Sequence, residues 1–229
     1  MDCFQNRTFV AFRISCMIMI AVALVLQGIS LRKDAKWDQY ITGAVPPDIN
    51  HPVVFQIKAY QSLWKLNVLA DYDTDVYDNH DYNAYVDKSK RKTDWREESL
   101  RFELAGVGIG SASFGVLALA SVIPFFLKRR KFQIGAVLNS MGLCFISAVL
   151  IMKGIAQYSE NYQSVINPYA KTWKWFFHLT DDTLAMDFYF AFGAAIFHFF
   201  AAISLIIHVI VYIRSDDSKN KTTVESICM

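Results

Sequence analysis

Three aspartates come closest to a metal site in this chain. Asp71, Asp73 and Asp75 alternate, as the first three oxygen ligands of an EF-hand loop do. Val76 then stands where that loop needs glycine, and Tyr82 where it needs its closing glutamate. The run therefore reads as an acidic, tyrosine-rich surface rather than a calcium site. His198 and His208 are the next candidates. On one helix they would lie about 15 Å apart along the axis and on different faces, so they cannot share an ion. They read as neutral histidines hydrogen-bonded to neighbouring helices. No nucleophile elbow, phosphate loop, HExxH or CxxC motif occurs. The chain is expected to be no enzyme and to hold no catalytic residue, metal or cofactor.

The cysteines and the C-terminal residues carry the remaining chemistry. Cys3, Cys16, Cys144 and Cys228 all fall outside the two long polar segments, 31–101 and 157–187, so no disulfide forms within those segments. The sequence ends Glu225-Ser226-Ile227-Cys228-Met229. Ile227 and Met229 fit a PDZ ligand, which adds a strand to the domain's sheet edge and buries its terminal carboxylate. The polar stretch Ser215 to Thr223 would be the flexible connection that delivers it. Cys228, and with it Cys3, offers the competing reading of palmitoylation beside a membrane.

The elements that must position these residues are membrane spans. Hydrophobic residues make up 54% of the 229 and charged residues 19%, below the roughly 25% charge of soluble domains. The charges do not cluster into a basic face, which argues against nucleic acid as a partner. Crossing the hydrocarbon takes about 20 apolar residues, and four stretches supply them. The chain divides into an N-terminus (1–8), a first span (9–30), a long polar segment (31–101), a second span (102–127), a turn (128–131), a third span (132–156), a second polar segment (157–187), a fourth span (188–213) and a tail (214–229). The first stretch is too long for the apolar core of a signal peptide and reads as an uncleaved span.

Orientation follows from Lys128-Arg129-Arg130-Lys131, four bases with no acid between two spans. Such turns stay cytoplasmic, which places both termini in the cytoplasm and the two polar segments outside. The first outer segment holds short β-prone runs at Val53 to Ile57 and Gln61 to Val68, then the acidic run, then the basic run Lys88 to Lys92. Asp94 to Leu104 extends the second span outward as helix, which puts Arg101 and Glu103 at the water interface. The spans carry no acid near their middles, which disfavours a proton-coupled transporter. In the second span Gly106 and Gly110 form GxxxG, and Ser111 and Gly115 form a second small-xxx-small pair. Both let helices approach closely, within the bundle or between molecules.

The layout resembles the claudin superfamily of claudins, peripheral myelin proteins, stargazin-related channel gamma subunits and clarins. Trp37 follows the first span where that family often has tryptophan. Leu63-Trp64 stands where claudins have Gly-Leu-Trp, and Tyr60 to Trp64 is similar to a clarin block. Arg101 matches an arginine before the second span. The third-span exit, Ile155 to Tyr162, and a histidine among the aromatics of the fourth span resemble clarins. Ser62 replaces the expected glycine, and the two loop cysteines of the family are missing. The resemblance implies an all-α membrane protein, a left-handed four-transmembrane-helix bundle with a small antiparallel β-sheet in the first extracellular segment. Trp37, Trp64 and Arg101 would be structural anchors, with the Trp64 ring at the bilayer interface or under the strands. The implied roles are at the plasma membrane and its cell junctions, in adhesion through self-association, or in escorting a channel or receptor. The implied partners are membrane lipid and other membrane proteins, with a PDZ scaffold on the cytoplasmic side.

Overall fold

The computed structural model describes residues 2–44, 55–64, 66–72, 94–122, 130–172 and 177–227. The acidic run beyond Tyr72, the basic run Lys88 to Lys92, Lys128 and Arg129 of the turn, Cys228 and Met229 lie outside the described residues. Eight elements follow in order: α1 (Asp2–Ser30), β1 (Asp38–Ala44), β2 (Phe55–Gln61), β3 (Leu66–Tyr72), α2 (Asp94–Val122), α3 (Arg130–Thr172), β4 (Phe177–Leu184) and α4 (Met186–Ile227). Among the described residues, four helical stretches are long and apolar enough to cross a membrane: Val10–Ser30, Trp95–Ser121, Phe132–Asn161 and Met186–Arg214. This is the signature of a multi-pass membrane protein.

Three helices outrun the spans read from the sequence, α1 by starting at Asp2. α3 continues to Thr172, well past residue 156, and α4 continues through the polar tail to Ile227. Hydropathy ends a span where charge begins, but charged and polar residues such as Glu, Lys and Gln remain good helix formers. The expected flexible connection from Ser215 to Thr223 is therefore helix.

Each helix buries one seam, and the spacing along it alternates between three and four residues. In α1 the seam is Arg13, Cys16, Ile20, Ala23, Gln27 and Ser30. In α2 it is Ser99, Glu103, Gly106, Gly110, Ser113, Leu117 and Ala120. α3 from Val137 to Tyr158 and α4 from Asp187 to His208 repeat it. A seven-residue repeat keeps its seam facing inward only if the helices wind left-handedly. The seams mix small and polar residues with a few large ones such as Ile20 and Leu117, while many large apolar side chains, among them Ile14, Val25, Leu119, Phe145 and Ile206, are exposed. That inversion suits lipid, where close approach and interhelical hydrogen bonds hold helices together and oily side chains lose nothing by facing out.

Contacts divide the chain into two compact units. The first comprises Met1–Val25, Ala105–Val149 and Ala194–Met229, and the second Leu26–Leu104 and Leu150–Gly193. The core of the first gathers Cys16, Ile20, Leu117, Val137, Cys144 and Leu205 from all four helices. The second contains the strands, which pair antiparallel in the order β3-β2-β1-β4. Asp38 pairs with Gln61 on one side of β1 and with Leu184 on the other, and the β1–β4 register slips between Ile41 and Thr42, the mark of a bulge. The strands differ from the β-prone runs of the sequence. β2 ends at Gln61 and β3 begins at Leu66, so Trp64 falls between strands rather than within one. β4 comes from the second polar segment, not the first.

Candidate functional site

In the second unit, the chain leaving α1 is fastened at several points. α1 is closed by Ser30, whose Oγ donates to the Gln27 carbonyl at 2.9 Å. Seven residues on, Trp37 is fully buried, and its indole N–H donates to the Ser30 carbonyl at 2.7 Å. That bond satisfies one of the carbonyls a helix end leaves without an intrahelical partner. The Trp37 ring lies 4.8 Å from Tyr158 and 5.7 Å from Phe188, edge-on to the latter. Trp95 meets the other side of Tyr158 at 5.4 Å, T-shaped. Such tilted and edge-to-face pairs match the quadrupoles of the rings.

Asp187 ties the start of α4 to the same place. Its Oδ2 accepts from the Lys36 backbone N–H at 2.6 Å, and its Oδ1 lies 3.6 Å from Arg32. A carboxylate in the first turn also complements the helix dipole. The Arg32 end is half exposed, so its ion pair adds little; the charge-assisted bond to the backbone is the stronger contact. The Ala185 N–H donates to the Trp37 carbonyl at 2.8 Å. The result is a collar in which the exits from α1 and β4 and the start of α4 share buried aromatic packing.

Trp64 is also tied to the exit from α1. It is 42% exposed, and its indole N–H donates to the Leu31 carbonyl at 2.7 Å. Its neighbour Leu63 is buried, and the Ser62 hydroxyl accepts from the Trp64 backbone N–H at 3.2 Å. Arg101 is well exposed, and among the described residues it makes an i, i+4 pair with Glu97 at 2.7 Å. Such exposed pairs contribute about 0.3–0.5 kcal/mol.

Glu103, two residues on, was expected at the water interface and is fully buried instead. Gln27 reaches it with one amide nitrogen, donating to the Glu103 carbonyl at 3.0 Å and to its Oε2 at 3.2 Å. Gly154 lets α3 pass close by, since a Cβ there would stand 3.1 Å from Glu103 Oε1 and from the Ser99 carbonyl. Gln27, a glutamine near the outer end of the apolar run Cys16 to Leu26, was the sequence signal for this partner.

In the first unit α2 and α3 are joined by hydroxyl bonds. Ser113 Oγ donates to the Ser140 carbonyl at 2.9 Å, and Ser140 Oγ returns a bond to the Ser113 carbonyl at 3.1 Å. Cys144 Sγ lies 3.0 Å from Ser113 Oγ. Ser147 Oγ donates to the Gly106 carbonyl at 2.8 Å. Gly110 packs directly against His198, where a Cβ would stand 2.7 Å from Cε1 and 2.9 Å from Nε2. His198 has no hydrogen-bond partner on either ring nitrogen, so the expected bond to a neighbouring helix is not formed there. Gly106 and Gly110 thus face α3 and α4. Ser111 is exposed, and a Cβ at Gly115 would meet nothing within 4 Å, so among the described residues this second pair makes no close contact. Cys3 lies in the first turn of α1 and Ile227 ends α4.

No protein-family model matches the chain, and no curated protein matches it. Among the described residues no cluster of three or more His, Cys, Asp or Glu is placed to hold a metal ion. What these residues build is a mechanical arrangement: buried aromatics, backbone bonds and one carboxylate hold the segments that emerge from the helices.

Proposed function

We propose that this is a non-enzymatic, claudin-like integral membrane protein that works by contact, joining cells or organising the membrane around it. The observation that carries this reading is the collar. Trp37, Tyr158, Phe188 and Asp187 fasten the roots of both polar segments, and rigid roots are what a surface built from otherwise polar loops needs. The strands β3-β2-β1-β4 would form the outer sheet, with the acidic, tyrosine-rich run as its contact face. The protein would reside in the plasma membrane, at cell junctions. Mixed cultures test this. Tagged protein should concentrate where two expressing cells touch and copurify with differently tagged copies of itself from the neighbouring cell. Uniform distribution with no such copurification argues against contact.

The second reading is an auxiliary subunit that escorts or modulates a channel or receptor. One observation favours it. Gly108, Ser111 and Gly115 lie along α2, open or exposed, and a Cβ at Gly135 or Gly142 of α3 would also meet nothing within 4 Å. Small residues facing lipid allow another protein's helix to approach closely. A stoichiometric channel or receptor partner in affinity copurification from native membrane would favour this reading over the first.

Both readings share one orientation, with the Lys128 to Lys131 turn and both termini in the cytoplasm. Epitope tags near Asn79 should stain unpermeabilised cells, and tags at either terminus should not. Staining of an N-terminal tag on intact cells would reverse the topology. In this orientation Ile227 and Met229 are offered to a PDZ scaffold, and Cys3 and Cys228 to palmitoylation. Because α4 is helical through Ile227, a PDZ domain must unwind its last turn to pair with it as a strand.

A further inference from the structure

We propose that Arg13 is the centre of a binding site for the phosphate of an anionic phospholipid. This site lies in the first unit and does not depend on what the polar segments contact. Arg13 is only 7% exposed, yet its guanidinium meets neutral acceptors alone. Nε donates to His208 Nε2 at 3.4 Å, one terminal nitrogen to the Ala120 carbonyl at 3.3 Å, and the other to Gln133 Oε1 at 3.4 Å. All three are long for a guanidinium, which draws anionic oxygens to about 2.7–2.9 Å. Two of its five N–H groups are left without an acceptor. Among the described residues the ion pairs are Arg32–Asp187 and Arg101–Glu97, and no carboxylate reaches Arg13. A buried cation without an anion is costly, and more so within a membrane.

The same place is open. A pocket is lined by Arg13, Gln133, His208 and Tyr212, with Ile134 and Val137 among its apolar walls. It has room for about one water-sized group. That fits a single oxygen reaching in from a phosphate that itself stays outside, not an enclosed headgroup. The depth agrees. Arg13 lies three residues inside Val10–Ser30, Gln133 is the second residue of Phe132–Asn161, and Tyr212 is two residues from the end of Met186–Arg214. All are at span ends, where phosphates lie. Arg130 and Lys131 are the first two residues of α3, directly before Phe132 in the chain, and basic residues at a membrane surface gather anionic lipid. A zwitterionic lipid brings its own cation beside the phosphate and should compete poorly.

The full-length protein in neutral detergent tests the assignment. Lipid retention by native mass spectrometry should show one phosphatidylglycerol bound about tenfold more tightly than phosphatidylcholine, because the choline cation offsets the attraction of the guanidinium for the phosphate. Arg13→Gln should remove that preference and leave phosphatidylcholine binding unchanged. Inorganic phosphate, added alone, distinguishes the sources. If it protects the wild type against heat as well as phosphatidylglycerol does, the site takes phosphate from solution; if it does not, the lipid is the ligand. Equal retention of the two lipids by the wild type overturns the site, and that measurement needs no variant to fold. So does an unchanged preference in Arg13→Gln.

Discussion

Gly110→Leu should leave little folded protein. A Cβ at this position would stand 2.7 Å from His198 Cε1, 2.9 Å from its Nε2 and 3.2 Å from Ser147 Oγ. Neither neighbour can yield cheaply. His198 is a fully buried ring, and Ser147 is held by its bond to the Gly106 carbonyl. Even alanine should cost about 1–3 kcal/mol as overpacking. Leucine adds three more carbons to the same seam and must push α4 away from α2. Against total stabilities of about 5–15 kcal/mol, that is enough to send the protein to degradation. Gly115→Leu is the control, because nothing stands within 4 Å of its Cβ. Melting of the detergent-solubilised variants, with surface biotinylation in cells, should rank wild type and Gly115→Leu together, Gly110→Ala several degrees lower, and Gly110→Leu unrecoverable. Normal surface level and melting for Gly110→Leu would show that the α2–α4 contact is not as close as described.

The second large effect is expected at Trp37. Truncating a fully buried tryptophan costs about 3–5 kcal/mol. Trp37→Ala also strips Tyr158 and Phe188 of their ring partner and the Ser30 carbonyl of its donor. Trp37→Phe should recover most of the packing and still leave that carbonyl unpaired, at about 1–3 kcal/mol. Trp64→Ala is the comparison. Its ring is 42% exposed, so the loss is mainly one hydrogen bond to Leu31, about 1 kcal/mol. Limited proteolysis of the polar segments in intact membranes should be fastest for Trp37→Ala, slower for Trp37→Phe and near wild type for Trp64→Ala. Equal rates for the two alanine variants would remove Trp37 from the centre of the collar.

The spans were legible because lipid demands length and hydropathy, and four runs satisfied both. The spacing of Gly106 and Gly110 could be singled out in the sequence, but so could Ser111 and Gly115, and spacing does not say which pair faces inward. The partners of Gly106 and Gly110 were not legible. His198 sits 88 positions beyond Gly110, and nothing local pairs them. The seams escaped notice because they are built from Cys16, Ser113, Ser140, Ser147 and alanines, so the inward face carries no rise in hydrophobicity for periodicity to detect. Glu103 misled through its neighbours. A glutamate beside Arg101 at a span's edge looks solvated, and only the approach of Gln27 and Gly154 reveals that it is enclosed. Arg101 stands at a position that suggests an anchor, and among the described residues its side chain pairs with Glu97.

The small and polar character of the helix seams in the first unit bears on how stability responds to temperature. A water-soluble domain gains about 12–15 cal/mol/K of heat capacity per residue on unfolding, because apolar surface passes into water. Here Ser113, Ser140, Ala201 and Gly110 would pass from a neighbouring helix into lipid. The outward Ile14, Phe145 and Ile206 are already on the surface a bilayer would cover. Little apolar area changes its exposure to water, so the heat-capacity increment of helix separation is small. The curve of stability against temperature is correspondingly flat, and cold should do almost nothing to loosen these contacts.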